Sequence, residues 1–214
     1  MKSIMVIGLG RFGRSAARKL FQLGHEVMVV DNNENRVGEV LEYSTSALVG
    51  DSTNRGFLLT LGVSDYDLCI VSIGDNFESS LITTLHLKEL GAKYVVSRAS
   101  TDTHKKLLLH NGADEVVYPE RQLAEWTAIR YSSDHIFDYI ELDESCAIYE
   151  IDIPKGWVGK TVEELDIRRH HGLNIIGIRK DGRVEMEIKP DSILVGEERL
   201  FVAGNRKNIQ KCFG

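Results

Sequence analysis

The sequence predicts an α/β fold, in which a Rossmann-like doubly wound parallel sheet precedes a small α+β domain. Short β-branched runs alternate with helical stretches in the first half, which is typical of a parallel sheet covered on both faces. This alternation stops near residue 140, where a half-exposed strand pattern and a hairpin signal replace it. The chain's 214 residues suffice for two such domains. We place their boundary after residue 135, giving domains 1–135 and 136–214.

Six strands and six helices are predicted for the first domain. The strands are the apolar runs 3–10, 26–31, 46–51, 67–74, 93–99 and 115–119. The helices have apolar residues at helical spacing, often closed by glycine, and cover 14–24, 33–43, 55–61, 77–90, 103–110 and 121–135. The last helix is expected to cross over to the second domain.

The second domain is predicted to combine strands and helices without the regular alternation. Residues 146–154 alternate as a half-exposed strand does, and a helix over 161–172 opens with a capping box of Thr161 and Glu164. Asp181-Gly182 marks a hairpin turn between two strands in 173–190. A strand over 199–204 and a helix over 205–213 complete the domain.

Composition excludes several classes of protein. With 26 basic and 32 acidic residues the net charge is −6, which argues against a nucleic-acid binder. The three cysteines, Cys69, Cys146 and Cys212, form no paired motif, so neither a disulfide framework nor a zinc site is expected. No apolar run reaches the ~18 residues of a membrane span, and no signal segment is recognised. We expect a cytoplasmic protein that reaches a membrane only through a partner chain.

Gly8, Gly10 and Gly13 form a GxGxxG motif between the first strand and the first helix. In that context Gly8 permits a tight turn, Gly10 lets a pyrophosphate approach the backbone, and Gly13 lets helix and strand pack closely. The helix N-terminus adds unpaired N–H groups that favour anions. The motif favours nucleotide binding, and a purely structural glycine turn is the alternative.

Polar residues at the ends of later strands point to the same edge of the sheet. Asp31 ends the second strand, where an acid binds ribose hydroxyls or caps the following helix. Asp51 follows the third strand as an adenosine contact or a turn residue. Arg98 ends the fifth strand as a phosphate ligand or a salt-bridge partner.

The sequence offers little support for an enzyme. A dehydrogenase needs a substrate domain and a general acid or base beside the nicotinamide, yet none of the seven histidines has a recognisable catalytic context. We predict a protein that is not an enzyme. A small NAD-dependent oxidoreductase and a nucleotide sensor with a soluble partner remain as alternatives.

Taken together, these motifs resemble the RCK (regulator of potassium conductance) family. The likeness rests on VIGLGRFG, VVD, GDST, the SIGDN strand, VSRA, GADEVVYPE, GKTVEELDIRRHHGLNIIGI and the closing RLFVAG. It covers almost the whole chain. Within the family, the chain is most similar to the KtrA-like and TrkA-like cytosolic regulatory subunits of bacterial potassium-uptake systems.

The resemblance implies a function and an assembly. Such proteins form homodimers that build an octameric ring beneath a membrane-embedded potassium-translocating subunit of the KtrB or TrkH type. KtrA-like members bind ATP or ADP, TrkA-like members bind NAD(H), and nucleotide exchange changes the ring's shape. Carried over by motif, the nucleotide ligands are Gly8, Gly10, Arg11, Phe12 and Gly13 along the phosphates, Asp31 at the ribose, Asp51 at the adenosine and Arg98 near the phosphates.

Two further ligands follow from the resemblance alone. Glu120 matches a glutamate that coordinates a divalent cation, Mg or Ca, at the dimer interface, although the residue by itself suits a helix N-terminus. Some relatives bind cyclic di-AMP between two protomers in the second domain. The matching positions are Val162, Arg168, Asn174 and Pro190. The Arg168 guanidinium suits a phosphodiester, but it also suits the solvated end of a helix.

Overall fold

The computed structural model describes residues 1–132, 135–143 and 145–213. The chain divides into two compact units, Met1–Gln122 and Leu123–Gly214. The division falls earlier than the predicted domain boundary after residue 135, which stays a prediction. In the part of the chain described, no helix is long and apolar enough to cross a membrane.

The first unit is built on a six-stranded sheet in which every strand pair is parallel. Its strands are β1 (Ser3–Ile7), β2 (Glu26–Asp31), β3 (Ser46–Val49), β4 (Leu68–Val71), β5 (Val95–Arg98) and β6 (Glu115–Val117). They are ordered β3-β2-β1-β4-β5-β6. The predicted Rossmann-like fold is confirmed, and the chain switches direction across the sheet between β1 and β4.

Helices connect these strands, one more helix follows the last strand, and four of these helices begin at side-chain caps. They are α1 (Arg11–Gln22), α2 (Glu34–Gly38), α3 (Arg55–Thr60), α4 (Phe77–Glu89), α5 (Asp102–His110) and α6 (Pro119–Tyr131), with 3-10 turns at Leu41–Tyr43 and Val63–Asp65. The side chains of Asn33, Asn54, Asn76 and Thr101 accept hydrogen bonds from the first turns of α2 to α5. The helix predicted over 33–43 is therefore a short helix followed by a 3-10 turn.

Strand β1 shows why the sheet is covered on both faces. Met5 and Ile7 belong to one buried apolar cluster, whereas Ile4 and Val6 belong to another. Successive strand side chains point to opposite faces, so a continuous apolar run packs against helices on both sides. This burial fixes the strand ends that carry the candidate site.

The second unit contains a five-stranded antiparallel sheet, ordered β10-β9-β11-β8-β7. Its strands are β7 (Ile136–Glu141), β8 (Cys146–Asp152), β9 (Leu173–Lys180), β10 (Arg183–Glu185) and β11 (Arg199–Asn205). Two predictions were wrong in extent. The helix predicted to reach residue 135 ends at Tyr131, ahead of an unpredicted strand, and the second hairpin strand ends at Glu185 rather than near Pro190.

The helices of this unit are α7 (Val162–Leu165), α8 (Ile167–His171) and α9 (Arg206–Phe213). The capping box of Thr161 and Glu164 is confirmed, since each side chain accepts a hydrogen bond from the other residue's backbone N–H. The single helix predicted over 161–172 is broken at Asp166, whose φ of +37° is left-handed. The small α+β prediction for this half is confirmed.

Candidate functional site

A cleft opens in the first unit at the carboxyl ends of β1 to β4. It is lined by Ile7, Gly8, Gly10, Asp31, Asn32, Arg36, Gly50, Asp51, Ser52, Thr53, Ser72, Ile73, Asp75, Asn76 and Ser79. The cleft includes the point where the strand order reverses, the usual ligand position in open α/β sheets. Of the nucleotide ligands predicted from sequence, Gly8, Gly10, Asp31 and Asp51 line it.

The three motif glycines have separate structural reasons. Gly8 has a φ of +90°, and a Cβ there would lie 2.9 Å from the backbone N of Ile73. A Cβ on Gly13 would overlap the carbonyl oxygen of Gly8 and the hydroxyl of Ser72. A Cβ on Gly10 would meet no atom within 4 Å. Gly8 and Gly13 are thus required by the turn itself, whereas Gly10 leaves open space on the cleft side.

The glycine turn is held in place from the neighbouring strand end. Ser72, which is 3% exposed, donates its hydroxyl to the carbonyl oxygens of Ile7, at 3.1 Å, and Gly8. Its backbone N–H also donates to Ile7 O at 2.8 Å. The turn is therefore rigid, and it precedes a helix whose first turn has no acid and whose N-cap, Gly10, supplies no side-chain hydrogen bond. Such an N-terminus has N–H groups available for an anion.

Asp31 joins this turn to the end of β2. Its carboxylate is 4% exposed and accepts hydrogen bonds from Leu9 N at 2.5 Å and Asn33 N at 2.8 Å. The N-cap of α2 is Asn33, whose side chain accepts from Arg36 N. The helix-cap alternative for Asp31 was therefore wrong. Asp31 fixes two backbone segments at the cleft and presents its carboxylate there.

A cationic residue in the cleft was missed by the sequence analysis. Arg36 Nη1 lies 3.7 Å from Asp31 Oδ2, and Arg36 Nη2 lies 3.5 Å from Asp75 Oδ2. Arg36 belongs to α2 and Asp75 to the β4–α4 loop, so neither stands at a strand end. A signal was present in the sequence, because Arg36 follows Asp31 at the start of the next predicted helix.

The other predicted aspartate shapes the loop after β3. Asp51 Oδ1 accepts hydrogen bonds from Thr53 N at 2.9 Å and Thr53 Oγ1 at 2.7 Å. The turn alternative for Asp51 is therefore observed, and the residue also lines the cleft. Its neighbour Ser52 is 7% exposed and lines the cleft as well.

Arg98 and Glu120 form an ion pair outside the cleft lining. The Arg98 guanidinium packs on Gly74, where a Cβ would overlap Nη1. Partial burial raises the pKa of Glu120, but hydrogen bonds from the start of α6 and from Arg98 outweigh it and lower the pKa below its ordinary value. The salt-bridge alternative for Arg98 is thus observed, and its role near a phosphate stays a prediction.

Three more predicted residues lie elsewhere. Arg11 is exposed and lines a groove beside α1, Phe12 is half-buried, and Gly13 packs under the turn. Across the described ranges, no three His, Cys, Asp or Glu side chains cluster as metal ligands. The metal site predicted at Glu120 stays a prediction.

In the second unit, the four positions predicted for cyclic di-AMP line one groove. Its lining includes Val162, Arg168, Asn174 and Pro190. A backbone hydrogen bond joins two segments of the groove lining, since Glu163 N donates to Pro190 O at 2.9 Å. Arg168, Asn174 and Pro190 are exposed. The structure brings these residues together, while the ligand stays a prediction.

A glycine-turn Rossmann-like unit followed by this antiparallel α+β unit defines a protein of the RCK type. Family models match both parts, the TrkA-N domain over residues 4–119 and the TrkA-C domain over residues 146–213. The chain belongs to this KtrA/TrkA-like family. The resemblance inferred from the sequence is confirmed.

Among curated relatives, the chain is 38% identical over 210 residues to the Ktr system potassium uptake protein C of Bacillus subtilis, covering 98% of this chain and 95% of the relative. It is 33% identical over 210 residues to the Ktr system potassium uptake protein A of the same organism, with the same coverage. These likenesses span both units.

Solved structures with the same fold include the GsuK channel bound to NAD, with a TM-score of 0.70 and 23% identity, covering 97% of this chain and 38% of that one. GsuK bound to ADP matches with a TM-score of 0.55 and 23% identity, covering 63% of this chain and 36% of that one. The chain thus spans well under half the length of these solved chains, and they support the fold.

Proposed function

We propose that this chain is the nucleotide-gated cytosolic regulatory subunit of a potassium transporter. The observation that carries the proposal is the cleft, in which a rigid glycine turn leaves space at Gly10 beside the buried carboxylate of Asp31. Support comes from two relatives named as Ktr system potassium uptake proteins, each covered over 95% of its length.

The proposed ligand is ATP or ADP, with NAD(H) as the alternative. Gly8, Gly10 and Gly13 form the phosphate turn, with Arg11 and Phe12 beside it. Asp31 holds the ribose and Asp51 lies at the adenosine. Arg98, whose guanidinium packs against Gly74, lies near the phosphates. All these ligands share an adenosine, which explains why one cleft suits each of them.

The cleft's chemistry favours binding over catalysis. Its described lining contains no histidine, cysteine, lysine or tyrosine, which are side chains that commonly act as general acids, general bases or nucleophiles. A binding role needs only that a ligand prefers one conformation to another. ATP and ADP differ by a γ-phosphate, whose added charge gives the two nucleotides different affinities for the two conformations.

The proposed assembly follows the family. Two copies form a dimer, dimers form an octameric ring, and the ring binds a membrane-embedded potassium-translocating subunit of the KtrB or TrkH type. The chain then works in the cytoplasm, at the inner face of the membrane. Glu120 contributes to a Mg or Ca site at the dimer interface, and the groove of Val162, Arg168, Asn174 and Pro190 takes cyclic di-AMP.

Potassium flux in proteoliposomes tests this function. Membrane subunit and wild-type chain are reconstituted together, and flux is measured with ATP, with ADP and without nucleotide. Fluxes with ATP and ADP should differ by about fivefold or more, the lower end of allosteric coupling. Gly10→Ala, which leaves the turn unobstructed inside the fold, should remove this difference. Equal flux under all three conditions contradicts the proposal.

A further inference from the structure

Helix α4 faces the sheet with an unusual stripe of side chains. Its buried residues are Ser80, Thr83, Thr84 and Leu87, at the spacing of one helix face. Such a stripe is ordinarily apolar, yet three of these four residues carry hydroxyls, while Leu85 on another face is 39% exposed. Buried hydroxyls need hydrogen-bond partners, because losing them costs free energy. Among the described residues, the Ser80 hydroxyl has no hydrogen-bond partner, so the partners of Thr83 and Thr84 are the ones that indicate what the helix does.

The two threonines have different partners. Thr84 donates its hydroxyl to the carbonyl oxygen of Ser80 at 2.8 Å, and it also lies 2.8 Å from the hydroxyl of Ser97 in β5. Thr83 lies 2.9 Å from the hydroxyl of Ser52. Ser52 lines the cleft, whereas Ser97 does not. Thr83 thus connects the interior of α4 to the nucleotide cleft, and Thr84 connects the same helix to the core of the sheet.

The buried position of Thr83 sets the direction of its hydrogen bond. Thr83 is 0% exposed, and Ser52 Oγ is the one hydrogen-bond partner of its hydroxyl among the described residues. A buried hydroxyl that cannot reach water has to place its hydrogen on an available acceptor. Thr83 therefore donates to Ser52. The hydrogen of the Ser52 hydroxyl is then left for the cleft, and Ser52 becomes a donor there.

We propose that Thr83 is a positioning residue of the nucleotide site, which it serves by turning the Ser52 hydroxyl into a donor for an acceptor atom of the bound adenosine. The inference rests on the proposed nucleotide binding. Acceptors of this class are the ring nitrogens of the base and the hydroxyl oxygens of the ribose. Asp51, next in the chain, is an acceptor, so the pair offers a ligand one donor and one acceptor side by side.

Isothermal titration calorimetry with ATP, ADP and NAD tests this role in the wild type and three variants of the full chain. Thr83→Val removes the hydroxyl and keeps the side-chain shape, and Thr84→Val does the same one residue further along the helix. Thr83→Ser keeps the hydroxyl. Melting temperatures without nucleotide give the structural cost of each change, which should be similar for the two valine variants.

Thr83→Val should weaken ATP and ADP by about fivefold, the effect of one neutral hydrogen bond. Thr84→Val and Thr83→Ser should stay within about twofold of the wild type. Equal affinity loss in the two valine variants, or none in Thr83→Val, overturns the positioning role while nucleotide binding stands. Failure of the wild-type chain to bind ATP, ADP or NAD overturns the proposed function as well.

Discussion

The two candidate sites of this chain are built in opposite ways. The cleft in the first unit is made of backbone turns and buried polar groups, with Asp31 and Ser72 4% and 3% exposed. The groove in the second unit presents Arg168, Asn174 and Pro190, which are all exposed. The cleft is therefore formed before a ligand arrives, whereas the groove presents exposed side chains on an open face.

This difference has consequences for binding. A preorganised site loses little conformational entropy when its ligand binds. When a ligand binds an open groove, the exposed arginine side chain loses conformational entropy. The groove also covers only one side of the ligand, so the other side stays in contact with water. Such a groove suits a ligand that a second copy covers, as the family resemblance implies for cyclic di-AMP.

The largest expected effect separates two glycines of the same turn. Gly13→Ala places a Cβ against Gly8 O and the Ser72 hydroxyl, so it should destabilise the first unit by about 2–3 kcal/mol and abolish ATP binding. Gly10→Ala meets no atom within 4 Å. It should leave the melting temperature unchanged and weaken ATP by about tenfold or more, because the methyl occupies the phosphate approach.

Calorimetry and thermal melts of both glycine variants measure this contrast. The proposed binding of cyclic di-AMP to the second unit, once measured in the wild type, serves as the internal control and should be retained in Gly10→Ala. Wild-type ATP affinity in Gly10→Ala would show that the open space at this glycine is not used by a ligand.

Asp31→Ala is expected to have the next largest effect. It leaves Leu9 N and Asn33 N without their buried acceptor, which should lower the free energy of unfolding by about 1–3 kcal/mol. ATP, ADP and NAD should all weaken by about tenfold or more, because they share the ribose. Titration of the three nucleotides checks this, and retained wild-type affinity contradicts the ribose assignment.

Arg168→Ala changes the groove of the second unit and leaves the cleft of the first unit as it is. Removing this exposed guanidinium should weaken cyclic di-AMP by about tenfold, since a charge-assisted bond to a phosphodiester is lost. It should not change ATP affinity or the melting temperature. Arg169→Ala is the matched control on the same helix. An equal loss of cyclic di-AMP binding in both variants would mean that the positive charge of the helix matters, and not a specific contact made by Arg168.

The smallest expected effect concerns stability away from both sites. Partial burial raises the pKa of Asp114, but hydrogen bonds from Lys88 Nζ, at 2.9 Å, and Val95 N, at 2.7 Å, outweigh it and lower the pKa overall. A carboxyl with a lowered folded pKa stabilises the fold above its unfolded pKa, near 3.9, and this stabilisation is lost as the pH falls through the folded pKa.

Asp114→Asn should therefore be destabilised by about 1 kcal/mol at pH 7. The difference from the wild type should shrink as the pH falls below about 4. Urea unfolding across pH measures it, with exposed Asp191→Asn as the control. A pH-independent difference would mean that the amide costs packing rather than charge.

The fold could be predicted from the sequence wherever the apolar pattern of a segment matches its burial in the structure. The continuous apolar run of β1 is buried on both faces, so it was readable without structure. The break at Asp166, whose φ is positive, could not be predicted, because Asp166 stands inside a continuous helical pattern with no glycine beside it. Strand β7 was not predicted, because the preceding helix was expected to continue to residue 135 and to cross over to the second domain.

The site residues could be predicted where they follow the strands of the parallel sheet, because those strand ends meet at one edge of the sheet. Gly8, Gly10, Asp31 and Asp51 stand at strand ends and were found. Arg36 was missed because it reaches the cleft from a helix. Ser52 and Thr83 are far apart in the chain, and only tertiary packing places their hydroxyls 2.9 Å apart.

A thermal-shift series tests whether the cleft of the first unit binds a regulatory nucleotide. Wild-type chain and Gly10→Ala are melted with ATP, ADP, NAD and NADH, each with and without magnesium. A hundredfold excess over the dissociation constant adds about 2.7 kcal/mol, or roughly 5–10 °C in melting temperature. We predict such a shift for wild-type chain with ATP and with ADP, different in size between them. For Gly10→Ala at the same concentration the shift should be at most about half as large, because a tenfold weaker affinity leaves about 1.4 kcal/mol of stabilisation. Absence of any shift with all four nucleotides, or equal shifts in the two chains, would contradict the account.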